Sequence, residues 1–158
     1  MTISRCKFVN SYWSTSEMNL TTSLTSLLTR DLEARSAGSS GRALLEKLEF
    51  YCFDLNVARP LEFAESLQSD EPGPRQLLEQ LLEWTAVQPS FQLVALVALA
   101  PGLDQIALRL GRGRPSDDTI SEVVAQATEA LHWTEEFTEG ERRDFVLRHA
   151  TSDRKSVV

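Results

Sequence analysis

The stretch from Phe91 to Ala100 is apolar on nearly every side, whatever period is laid over it. Such a segment has no face to give to water, so other elements must cover it from several directions. So short a run also fits a buried strand. Leucine and alanine outnumber the β-branched residues, which favours a helix at the centre of a bundle. Pro101-Gly102 reads as a break, after which Leu103, Ile106, Ala107 and Leu110 continue a helical stripe to Gly111. The longest apolar run, Leu93 to Ala100, is too short for a membrane span.

The covering helices are visible on both sides. Residues 1–17, rich in Ser, Thr and Asn, read as a poorly ordered end, and Met18 is a candidate natural start. Leu20, Leu24, Leu27, Leu28 and Leu32 then fall at helical spacing up to the breaker at 36–41. A second helix is expected over 42–55, with Leu44, Leu45, Leu48, Tyr51, Cys52 and Leu55 on one stripe. A third begins at Pro60, a favoured first-turn residue, and carries Leu61, Phe63, Ala64 and Leu67. Residues 69–74 form the clearest linker. A fourth helix is expected over 75–87, built on Leu77, Leu78, Leu81, Leu82 and Trp84.

After the loop 111–115, Ser116 is a natural N-cap, and Asp117 and Asp118 lie where the helix dipole favours negative charge. Ile120, Val123, Val124, Ala127 and Leu131 form the buried face of that helix, expected to end near Trp133. A last helix, starting near Thr138 or Glu139, carries Phe145, Val146, Leu147 and Ala150. No stretch alternates as a strand would. The expectation is an all-α bundle of six to seven helices, divided into a poorly ordered 1–17, an N-terminal helical part at 18–70 and a second part at 71–158.

At 158 residues, 42% hydrophobic and 25% charged, the chain is one ordinary domain, or one with an appended helical hairpin, able to bury a core. Its formal charge of −7 repels phosphates in bulk, so any nucleic-acid contact needs a local basic face. Cys6 and Cys52 lack the spacing of a disulfide framework or a zinc site, and both read as reduced thiols. No secretory pattern opens the chain, so the cytoplasm is the expected location.

Catalytic signatures are absent from the sequence. Adjacent acids such as Asp117-Asp118 and Glu135-Glu136 point in different directions on a helix and make no acid/base couple. His132 and His149 have no second histidine or cysteine at helical spacing and no nucleophilic Ser or Cys placed beside them by any motif. Neither a phosphate loop nor a Gly-x-Ser-x-Gly elbow occurs. The expectation is a non-enzyme with no cofactor, no metal, no small-molecule substrate and no membrane partner. Arg112-Gly113-Arg114-Pro115 matches the core of an AT-hook, but Asp117 and Asp118 follow at once, and a loop between helices needs glycine and proline anyway. Trp84 and Trp133 sit at helix ends among apolar neighbours, where core or rim packing explains them.

One ordered set of features goes further. Leu103, Ile106, Ala107 and Arg109 follow the apolar run, and a polar loop comes next. Then comes Asp117-Asp118-Thr119-Ile120-Ser121-Glu122-Val123-Val124, and finally Phe145-Val146-Leu147-Arg148-His149-Ala150. This part of the chain, from about Leu93 onward, resembles region two of bacterial sigma factors, most of all the sigma-like proteins of high-GC bacteria. The family motif has an acidic pair, two apolar residues, glutamine, glutamate and an apolar residue; here Thr119 stands at an apolar position and Ser121 at the glutamine.

The resemblance implies that Asp118 and Glu122 meet the RNA polymerase core. It also implies that Arg142, Arg143, Arg148, Arg154 and Lys155 face promoter DNA, with Trp133 and Phe137 as stacking surfaces for an unpaired base. Those five basic residues stand against Glu141, Asp144 and Asp153, so residues 141–158 are a net-positive end on an acidic chain. Without the resemblance, the residues fit a helical protein–protein interaction module that contacts its partner through an apolar groove, binds no nucleic acid and exposes a sizeable apolar patch.

Overall fold

The computed structural model describes residues 23–52, 55–112, 116–134 and 141–151. Among these, the protein is an all-α bundle of seven helices with no strand. They are α1 (Leu24–Arg35), α2 (Ser39–Tyr51), α3 (Pro60–Ser66), α4 (Pro72–Val87), α5 (Gln92–Leu110), α6 (Asp117–Leu131) and α7 (Arg142–Thr151), with a 3₁₀ turn at Pro89–Phe91 leading into α5.

The apolar run takes the place its composition demands. Every residue from Val94 to Ala100 is buried, and α1, α3, α4, α6 and α7 all pack against α5. One continuous core joins side chains from both sides of the 69–74 linker, from Leu24, Leu32 and Phe63 to Leu131 and Val146.

Pro101 corrects the expected break. It lies inside α5, which runs unbroken over 19 residues. A proline there lacks the N–H that would bond to the carbonyl four residues back, which leaves Val97 O without its helical partner. Gln68, just past α3, fills the gap: its Nε2 donates to Val97 O at 2.8 Å. Gly102 serves a different purpose. A Cβ at that position would lie 3.1 Å from Leu147 Cδ2, so the missing side chain lets α7 approach α5 closely.

The reading of the apolar run as too short for a membrane also changes. With its helical flanks, Pro89–Leu110 is long and apolar enough to cross one by length and composition alone. In this fold 61% of its most apolar window is buried inside the protein, where α5 serves as the core helix.

Helix ends follow from local chemistry. Ser23 caps α1, its hydroxyl accepting the Ser26 N–H at 3.1 Å. Ser116 caps α6 in the same way, accepting from Thr119 N at 3.2 Å, with Asp117 and Asp118 in the first turn. α2 begins at Ser39, inside the expected breaker, because Gly38 alone makes the turn with φ of 66°. Gly41 is buried, and a Cβ there would collide with the Ser36 backbone. α4 takes in Pro72 and Pro74, since first-turn residues need no N–H for the helix.

Candidate functional site

α6 displays the two acids expected to meet a partner. Asp118 is exposed in the first turn, and Glu122, one turn on, is half-buried on the same side of the helix. Ile120, Val123, Ala127, Ala130 and Leu131 are the buried side, so packing fixes which way the acids face.

The expected basic surface of α7 divides in two. Arg142 is not on it. Its side chain is 7% exposed, with Nε donating to Thr134 O at 2.9 Å and a terminal nitrogen 3.8 Å from Glu83. Its guanidinium is thus committed inside the protein and cannot reach a phosphate. The physical reason lies on α4, where the buried carboxylate of Glu79 accepts the backbone N–H groups of Arg142 and Arg143 and draws the start of α7 inward. The Thr134 hydroxyl completes the cluster by donating to Leu82 O at 2.6 Å.

Arg143 and Arg148 do reach one surface. Both line a cleft of about 660 Å³ between α5 and α7, and Arg109 of α5 joins them there. Glu141 and Asp144 also line it, and Arg143 lies 3.9 Å from the Asp144 carboxylate. Arg148 is exposed, with Nε 3.3 Å from Asp144 O. Arg154 and Lys155 lie outside the described residues, as do Phe137 and the glycine, arginine and proline of the AT-hook match. Arg112 is described and has φ of 58°.

Trp133 is 52% exposed just beyond α6, whereas Trp84 is half-buried and stacks on Tyr51 at 5.3 Å. The two histidines are both engaged. His132 Nδ1 lies 3.0 Å from Thr128 O, and His149 Nε2 lies 2.9 Å from Glu129 Oε1, tying α7 to α6. No group of three or more His, Cys, Asp or Glu able to hold a metal occurs among the described residues.

Sequence reading missed two features. Arg109 reaches the α7 arginines only through the packing of α5 on α7. The place of the apolar clefts, on both sides of α1, was the other. One lies between α1, α2 and the start of α5, and the second lies between α1 and α6. A surplus of apolar positions on α1 and α2, beyond one core stripe, is the only signal that could have found them. No family model, no curated protein and no solved structure matches this chain.

Proposed function

We propose that the protein is a non-catalytic, sigma-like transcription-associated factor. In this reading it docks on RNA polymerase through the exposed side of α6 and touches promoter DNA with α7. The observation that carries it is the convergence of Arg109, Arg143 and Arg148 on one cleft of a chain with a formal charge of −7. Glu141 and Asp144 line the same cleft, so its side chains sum to one positive charge, and phosphate contact needs such a local excess on an acidic chain. Asp118 and Glu122 would then form the polymerase contact on the neighbouring helix. Arg142 has no part in DNA contact, and its role is to fasten α7 to α4.

The test is a pull-down of the tagged protein against core RNA polymerase at low and moderate salt. Co-purification lost in the Asp118→Ala/Glu122→Ala double variant supports the reading. A folded, helical protein that fails to co-purify at either salt removes it.

The apolar clefts along α1 favour a second reading, a helical protein–protein interaction module with no nucleic-acid binding. It expects no DNA affinity even at low salt, which the DNA titration described below decides.

A further inference from the structure

We propose that the apolar groove along α1 docks an acidic amphipathic helix of a partner protein. The inference uses a surface apart from Asp118 and the α7 arginines, and it does not depend on the polymerase reading.

The groove is two clefts that meet. The first, about 570 Å³, has Leu28, Leu32, Leu44, Leu93 and Leu96 among its lining residues. The second, about 610 Å³, is lined by Leu24, Leu27, Ile120 and Val124 among others. Leu28, Asp31 and Val124 belong to both. Along α1 the lining extends from Leu24 to Arg35, roughly 18 Å at 1.5 Å per residue, or about three turns of a partner helix. A helix with apolar residues at i, i+3, i+4 and i+7 fits such a floor. The floor is open because α2 covers little of it: α2 buries only Gly41 and Leu48, and Leu44 stays half-buried.

Charge at the rim selects the occupant. Arg30, Arg35 and Lys47 are exposed along the edges. Asp31 is the one acid among the lining residues, and it sits 3.5 Å from Arg35. The rim is therefore positive on a protein whose net charge is −7, and it complements a helix with acids flanking its apolar stripe.

Other occupants fit less well. Residues 1–22 carry Arg5 and Lys7 against Glu17, and residues 152–158 carry Arg154 and Lys155 against Asp153, so neither segment has the excess of acidic side chains that this rim calls for. A second copy meeting the groove face to face about a two-fold axis would set one positive rim against another.

The experiment is fluorescence anisotropy of the full chain with a labelled amphipathic peptide of about 18 residues, leucine on one stripe and glutamate on its flanks, beside a twin with lysine flanks. The glutamate peptide is expected to bind with Kd on the order of 10 μM, and the lysine twin about tenfold more weakly. Arg35→Glu/Lys47→Glu, which alters only exposed side chains, should reverse that preference. Leu44→Asp should abolish binding of both peptides with the helical circular dichroism unchanged. If Leu44→Asp fails to fold, the charge-reversal pair decides alone. Equal binding of the two peptides, or binding of neither by a folded protein, overturns the proposal. Sedimentation showing a dimer that Leu44→Asp dissolves would assign the groove to a second copy and overturn it as well.

Discussion

The carboxylate of Glu79 on α4 accepts the backbone N–H groups of Arg142 and Arg143 at 3.0 and 2.9 Å, and so closes the start of α7 from across the bundle. The first turn of a helix leaves its N–H groups without intrahelical partners, and burial there makes each one costly. Glu79→Ala should lower the unfolding free energy by about 2–3 kcal/mol, because one buried and one part-buried donor lose a charged acceptor. Glu79→Gln should cost less, since the amide keeps one acceptor oxygen. Urea denaturation monitored by circular dichroism measures both, and a loss below about 0.5 kcal/mol for the alanine variant would contradict this role.

Arg142 and Arg148 lie six positions apart on α7 and should respond in opposite ways. Arg142→Met removes the donor to Thr134 O and the partner of Glu83, so a stability loss of about 1–3 kcal/mol is expected with no change in DNA affinity. Arg148→Ala, at an exposed site, should change stability by less than about 0.5 kcal/mol. If α7 contacts phosphates, the Arg148 change reduces the slope of log K against log salt by about one. A DNA titration of both variants at several salt concentrations separates the two roles. The absence of any affinity in the wild-type protein would leave the interaction-module reading standing.

Gln68 and Pro101 should be energetically coupled. Gln68→Ala strips the Val97 carbonyl of its donor and should cost about 1 kcal/mol. Pro101→Ala restores a backbone N–H able to bond to that same carbonyl, so the cost of Gln68→Ala should shrink in that background. A double-mutant cycle with an interaction term of at least about 0.5 kcal/mol is the expected result. Strict additivity would mean that the glutamine and the proline act separately.

Ser116→Ala should destabilise the protein by about 1 kcal/mol through loss of the α6 cap, and Ser116→Asp should preserve most of that stability. Thermal unfolding distinguishes them, since 1 kcal/mol corresponds to a Tm shift of about 2–4 °C in a domain near this size.

Much of the bundle was legible in the chain because most of its signals are local. Periodic leucines identified α1 and α4, Pro60 marked the first turn of α3, and Ser116 with two aspartates marked α6. The departures arise where a distant residue replaces a local one. Pro101 looks like a stop in sequence, and the donor that satisfies the carbonyl it leaves free is Gln68, 29 positions before Val97. Arg142 looks like one basic residue among several. Its inward turn depends on Glu79 and Glu83, which read in sequence as ordinary acids on the polar face of an amphipathic helix. A one-dimensional period cannot tell a solvated acid from one that caps a helix lying 63 residues further along. The candidate surfaces divide the same way. Asp118 is exposed by a pattern visible in the sequence, whereas the company Arg109 keeps with Arg143 and Arg148 is a product of packing.

The thin attachment of α2 has a consequence for how the protein breathes. A helix that fully buries only Gly41 and Leu48, with Leu44 and Tyr51 half-buried beside them, loses far less on lifting away than the core helix α5 would. Its amides should exchange with solvent through a local opening far cheaper than global unfolding, while those of α5 wait for the whole bundle to come apart. A helix docked in the groove would lie against Leu44 and hold α2 down, so the same amides should exchange more slowly once the groove is filled.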